Sequence, residues 1–163
     1  PYTTLFRSRS SGDNFVSDCT IETDQLALIP DSYIDMTAEK IRIYKELDSL
    51  TSEKDLINMK NRLTDRFGKM PVELERLFDI VRIRQLGQKL GFEKIIIKNG
   101  VMIAFFITNP LSQYYRSDRF SKVLENVNLN PKLFEIKQPD GRLRIMVRNV
   151  DGISKAYDIL KKL

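Results

Sequence analysis

The sequence predicts an α+β protein. Three N-terminal helices with a tight corner pack on a β-β-α-β-β-α unit whose small sheet is mainly antiparallel. Three observations carry this. Apolar residues recur at helical spacing through residues 37–90, punctuated by Asp65-Arg66-Phe67-Gly68-Lys69-Met70-Pro71. Beyond Gly91 the apolar period shortens to that of a strand, and Asn99-Gly100 separates two such runs. A second pair of runs flanks Pro139-Asp140-Gly141.

Before the helices, residues 9–14 are polar and contain a glycine, the composition of a disordered lead-in. Residues 19–23 and 26–29 each have a short β-like pattern, the second ended by the turn Pro30-Asp31-Ser32. Both are expected to dock as extended arms.

The first helix spans residues 37–49, with Thr37 as its cap and Ile41, Ile43, Tyr44 and Leu47 as its apolar positions. Ser52-Glu53-Lys54-Asp55 resembles a capping box with Asp in place of Glu. The second helix then carries Leu56, Met59, Leu63 and Phe67 on one face. Gly68 ends it in a left-handed conformation. Pro71 opens the third helix, because the first turn leaves the amide it lacks unpaired anyway.

That third helix runs to Leu90 and is capped by Gly91. Its two apolar stripes, Leu74-Leu77/Phe78-Val81 and Ile80-Ile83-Leu90, mark a helix sandwiched between layers. Gly87 in its interior costs about 1 kcal/mol relative to Ala, which points to a neighbouring element in close approach.

After the first hairpin, Asn109-Pro110 breaks the chain before a polar loop containing Tyr114-Tyr115. A short helix with Phe120, Val123, Leu124 and Val127 follows, then the second hairpin. A last helix, capped near Asp151, uses Ile153, Ala156, Tyr157 and Leu160. Two hairpins most simply share one sheet with the helices on one face.

The formal charge is +5, or +3 without Arg7 and Arg9, too small an excess to announce a nucleic-acid binder. The absence of histidine removes the commonest general base and metal ligand, and a lone cysteine excludes a Cys/His zinc site. No phosphate-cradling glycine loop and no nucleophile elbow is present. The expectation is a chain without catalytic residues, cofactor or metal, and without a membrane span. One cysteine suits the reducing cytoplasm.

Residues 1–8, Pro-Tyr-Thr-Thr-Leu-Phe-Arg-Ser, read as the in-frame translation of a sequencing adapter, with no initiator Met before them. They are set aside, and the chain is expected to begin inside a longer coding sequence.

Asp65 is the unusual residue of the corner. It sits in the last turn of the second helix, where the macrodipole disfavours an anion. Either Arg66 or another nearby cation offsets it, or the carboxylate is held there for a partner's arginine.

Four segments in order carry a family resemblance: Leu28-Ile29-Pro30-Asp31-Ser32-Tyr33-Ile34; Arg42-Ile43-Tyr44-Lys45-Glu46-Leu47; Asp65-Arg66-Phe67-Gly68-x-x-Pro71; and Arg82-Ile83-Arg84-x-x-Gly87-x-Lys89-Leu90-Gly91. Over residues 19–163 the chain resembles the C-terminal domain of the bacterial transcription-repair coupling factor. The resemblance implies a parent that is an ATP-driven DNA translocase. Such a protein removes stalled RNA polymerase and recruits excision repair through a UvrB-like module. On this reading residues 9–23 are a linker or the end of the motor, and residues 24–163 are a regulatory domain.

The domain would clamp over the UvrB-like module of its own chain and mask it from UvrA. ATP and Mg would belong to the motor, which would also make most DNA contacts, and the isolated fragment would be a cytoplasmic monomer. Asp65 matches an acidic position expected to meet arginines of the masked module. Arg62 departs from that pattern, standing where other members can carry an acid. Phe67 would be core, Gly68 a cap and Arg66 a bracket across the corner, with Pro71, Gly87 and Gly91 also architectural.

Two other readings compete. Arg142, Arg144, Arg148, Lys155, Lys161 and Lys162 would serve a nucleic-acid-binding accessory module, although alternate basic residues on a strand are the usual solvated face. Glu93, Asp118, Asp140 and Asp151 supply carboxylates for an enzyme, but nothing in the sequence pairs them. Tyr114-Tyr115 reads as packing or partner contact.

Overall fold

The structure, a computed structural model, describes residues 15–163, so the adapter-like segment and residues 9–14 lie outside it. The chain divides into two units. One is residues 26–82; the other joins the described residues up to 25 with residues 83–163.

The first unit holds α1 (Thr37–Ser49), α2 (Glu53–Phe67) and the beginning of α3 (Val72–Leu90). Its core is built by Ile43 and Leu47 of α1, Leu56, Met59 and Leu63 of α2, and Leu74, Phe78 and Val81 of α3. The i, i+4 pair Ile43 and Leu47 faces inward while Ile41 is 47% exposed, so only part of the predicted α1 stripe is core. Met36, not Thr37, occupies the cap position, and no side chain caps this helix. Ser52 does cap α2, its hydroxyl accepting from the Asp55 amide at 3.1 Å.

Residues 26–29 form no strand. Their amides are satisfied elsewhere: Leu28 N–H donates to the Glu73 carbonyl at 3.2 Å and Ile29 N–H to the Tyr44 hydroxyl at 2.8 Å. An extended segment with those donors already engaged has no need of a strand partner.

In the second unit β1 (Thr20–Thr23), β2 (Phe92–Lys98), β3 (Val101–Phe106), β4 (Glu135–Lys137) and β5 (Arg144–Arg148) form one sheet in the order β1-β2-β3-β5-β4. β1 runs parallel to β2, and the remaining neighbours are antiparallel. Residues 20–23, within the segment expected to be a linker or the end of the motor, pair along β2 as the edge strand β1. Asn99 and Gly100 take φ of 53° and 72°, the positive pair a two-residue hairpin turn requires.

Burial alternates along β2, β3 and β5: Ile95, Ile97, Met102, Ala104, Ile145 and Val147 are 2% exposed or less. They lie on the side where α4 (Asp118–Leu129) and α5 (Ile153–Leu160) bury Val123, Val127, Ile153 and Ala156. The end of α3 packs on this side too. A Cβ on Gly87 would lie 2.7 Å from Cys19 Sγ and 3.1 Å from Ile95 Cδ1, so the helix approaches closely because the side chain is missing.

Asp151 does not cap α5. Gln25 Oε1 accepts from the Ile153 amide at 3.1 Å, while Asp151 is exposed and lies 3.9 Å from Lys155. Gly152, at φ 98°, leaves room for the Gln25 amide against the helix start.

Tyr114 lies in a 3-10 turn, Gln113–Arg116, and is fully buried among Phe106, Tyr115 and Phe120. Its hydroxyl donates to the Leu90 carbonyl at the end of α3, and Gly91, at φ 94°, lets the ring lie directly against the backbone. Burial holds the Tyr114 phenol well above the ordinary tyrosine value.

Two stability predictions follow from this packing. Gly91→Ala places a methyl group inside the Tyr114 ring at a positive φ, and should cost about 3 kcal/mol or more. Gly100→Ala, at φ 72° with nothing within 4 Å, should cost only about 1–2 kcal/mol in the same thermal melts.

Tyr114 also makes stability depend on pH. The folded state keeps a proton that the unfolded chain releases near pH 10. Stability is therefore full below pH 10 and falls as pH rises from there toward the folded-state value. Tyr114→Phe should lose about 1 kcal/mol near neutrality and flatten that alkaline decline, read by urea melts across the range.

Candidate functional site

The corner between α2 and α3 positions the residues of interest. α2 buries Leu56, Met59 and Leu63, so Ile57, Asn61 and Asp65, four residues apart, lie on its outer side. Ile57 is 48% exposed and Asp65 is exposed.

Gly68 ends the helix at φ 88° and ψ −166°, a glycine conformation more extended than the left-handed cap the sequence suggests. Its amide still bonds back to the Thr64 carbonyl at 2.9 Å. The Tyr33 hydroxyl lies 3.1 Å from the Leu63 carbonyl and 2.9 Å from that of Gly68, donating at the helix end. The Tyr33 ring meets Phe67 at 5.8 Å, and burial raises its phenol above the ordinary value. Pro71 stands one residue ahead of α3, its carbonyl accepting from the Leu74 and Glu75 amides at 3.1 Å each. Met70 is buried beneath the corner.

The charges around the corner are paired in a definite pattern. Arg66 Nη1 bonds Glu39 Oε1 at 2.7 Å, with its guanidinium 4.8 Å over the Phe67 ring. Glu39, on α1, also takes Arg42. Arg66 therefore reaches back to α1 and leaves Asp65 without the offset that the dipole argument invites. Arg62 pairs with Glu46 of α1. Among the described residues the Asp65 carboxylate has no ion pair or hydrogen bond. An exposed carboxylate at the negative end of a helix dipole is free to accept hydrogen bonds, and those from a cation are the strongest it can make.

The other candidates are dispersed. Arg148 pairs with Glu135 at 3.2 Å, Lys155 with Asp151 at 3.9 Å, and Lys161 with Asp158 at 3.1 Å. Arg144 and Arg148 lie on β5 with Arg142 just before it, while Lys155 is on α5 and Lys161 and Lys162 follow its end, so the six come from separate elements. Glu93 accepts from the Thr108 hydroxyl at 2.7 Å, Asp118 opens α4, and Asp140 sits in a turn at φ 53°. No group of acidic, histidine or cysteine side chains suited to a metal exists among the described residues.

Sequence reasoning missed Tyr33 as the clamp of the corner and Glu39 as the acceptor for two arginines. Tyr33 and the Glu39–Arg66 pair join segments far apart in sequence, which no local pattern announces, while the Glu39–Arg42 pair has the i, i+3 spacing of one helix.

A family model described as the TRCF domain matches residues 23–117, more than half of the chain. The chain belongs to the TRCF domain family. It is 32% identical over 133 residues to the transcription-repair-coupling factor of Rickettsia conorii, covering 81% of this chain and 11% of that protein. To the transcription-repair-coupling factor of Staphylococcus haemolyticus it is 43% identical over 137 residues, covering 77% of this chain and 12% of that protein. The chain thus spans about a tenth of the length of these relatives. Its fold matches a crystal structure of the C-terminal domain of transcription-repair coupling factor with a TM-score of 0.71 at 17% identity, covering 89% of this chain and 88% of that one. No helix of the described residues is long and apolar enough to cross a membrane.

Because Asp65 opposes the helix dipole and has no compensating cation, Asp65→Asn should leave the isolated chain as stable or raise its stability by about 0.5 kcal/mol. Thermal melts at low and moderate salt measure this, with the gain shrinking as salt rises.

Proposed function

We propose that this chain is the regulatory C-terminal domain of an ATP-driven DNA translocase that couples transcription to nucleotide excision repair. It acts as an intramolecular clamp over the UvrB-like module of the same parent chain. Held there, it denies UvrA its surface until the translocase is engaged on stalled RNA polymerase. The domain performs no chemistry itself; ATP and Mg serve the motor, and DNA is contacted mainly there.

Family membership supports the setting. The observation that carries the clamp is Asp65, exposed, unpaired and held on a rigid corner where its own helix disfavours it. An arginine of the masked module, meeting Asp65 at about 4 Å near a protein surface, would gain roughly 4 kcal/mol of gross Coulomb attraction before desolvation is subtracted. A net difference of a few kcal/mol is the scale on which a two-state masking equilibrium turns. Arg62, tied to Glu46, adds no second acidic contact, so the electrostatic part of this clamp rests on one carboxylate.

In the full-length coupling factor that carries this domain, Asp65→Arg should raise UvrA affinity in the absence of DNA by about tenfold, with ATP-driven translocation retained. Unchanged UvrA affinity, measured by titration of the intact protein, would overturn the assignment of Asp65.

A further inference from the structure

The face of the sheet opposite α4 and α5 carries a second, independent pattern. Strand register places Ile96, Ile103 and Met146 side by side on β2, β3 and β5. Lys94, Phe105 and Arg144 align in a second rank, and Lys98, Val101 and Arg148 in a third. The result is a cross of apolar side chains with a cation at each of its four corners. Its long arm, Val101-Ile103-Phe105, runs along β3, and its short arm is the central rank.

These apolar residues are only partly buried, unlike their neighbours on the covered face. Lys94, Lys98 and Arg148 are 38%, 44% and 59% exposed. Glu22 and Glu135 flank the central rank on β1 and β4. Each is already shared by two cations: Glu22 by Lys94 at 2.9 Å and Lys98 at 3.5 Å, Glu135 by Arg148 at 3.2 Å and Lys137 at 3.6 Å. Five cations thus face two carboxylates. Arg144 Nε is buried with no acceptor among the described residues.

Dimensions decide the shape of the occupant. Three adjacent strands span about 10 Å centre to centre, the diameter of an α-helix with its side chains. The arm along β3 covers about 13 Å, or between two and three helical turns. Charge decides its chemistry, since basic residues line both sides of the apolar arm. We infer that this sheet face docks an amphipathic helix of a protein partner, its apolar stripe on Val101, Ile103 and Phe105 and acidic residues along both flanks.

A nucleic acid fits less well. Phe105 is the only ring in the cross and Arg142 lies 5.3 Å over it, while the central rank is aliphatic and ends in carboxylates at both sides.

The test titrates the whole chain with a labelled synthetic helix bearing a leucine stripe and glutamates on both flanks. Fluorescence anisotropy reads affinity, and amide NMR shifts locate the contact. A helix with the same stripe and lysine flanks, and an oligothymidylate, serve as comparisons. The glutamate helix should bind, moving amides of residues 94–98, 101–105 and 144–148. Arg144→Gln and Lys98→Glu should each weaken it about tenfold while melting like the parent chain. Lys98 is exposed, so its reversal tests the surface even if Arg144→Gln unfolds. Equal binding of the lysine helix, shifts confined elsewhere, no binding, or an oligothymidylate that displaces the helix from this face would each overturn the inference.

Discussion

Two helices can meet across a four-residue break only if the carbonyls exposed at the end of the first one find donors. Here one phenol meets part of that need. Tyr33, from the segment preceding α1, reaches the carbonyls of Leu63 and Gly68 with its hydroxyl and packs its ring on Phe67. The two carbonyls are part-buried and exposed, so a hydrogen bond to either contributes only about 0.5–1.5 kcal/mol net, and with the ring packed on Phe67 it ties the segment before α1 to the point where the chain leaves α2. Gly68 contributes the positive φ that no side chain tolerates easily, and Met70 anchors the turn from below. With the corner fixed, the last turn of α2 and everything displayed on it are fixed too.

The ion pairs on the helical unit gain their meaning from that rigidity. Exposed pairs contribute little to stability, typically under about 1 kcal/mol each. Their effect is to assign charges. Glu39 engages Arg42 and Arg66, and Glu46 engages Arg62, which withdraws three arginines that could have neutralised the end of α2. The Arg66 guanidinium is further held over the Phe67 ring. What is left is a single uncompensated acid at a position where a sequence free of other demands would place a base. Asp65 thus breaks a local electrostatic preference with no local compensation among the described residues, which is the observation the proposed clamp is built on.

Legibility in the sequence followed the range of the interaction. The α2 face, the Asn99-Gly100 turn and the Ser52 cap depend on residues within a few positions of each other and were readable, while the α1 face was readable only in part because Ile41 is exposed. The oddity of Asp65 was readable for the same reason, because a helix end and a charge are both local. β1 was not. Its four residues make a strand only because β2, more than seventy positions later, supplies a parallel partner. Nor was the Gln25 cap on α5, formed across 128 positions, while the nearer Asp151 was the natural candidate. Residues 26–29 failed in the opposite sense: their β-like pattern was real, but a helix carbonyl and a tyrosine hydroxyl took their donors first. The cross on the sheet could not be seen before strand order was known, since its nine positions come from three strands.

The two surfaces would answer to different physical variables. A contact resting on Asp65 is a charge–charge attraction at the protein surface, screened over about 8 Å at physiological ionic strength. It can be released by modest competition from other charges. A contact on the Val101-Ile103-Phe105 arm gains mainly from apolar burial, which carries a heat-capacity signature and depends little on salt, with the corner cations adding orientation. The two would therefore separate cleanly: raising salt weakens the first while leaving the apolar part of the second in place. A domain that covers one neighbour reversibly while holding another partner needs that division, because one surface serving both ends would release them together.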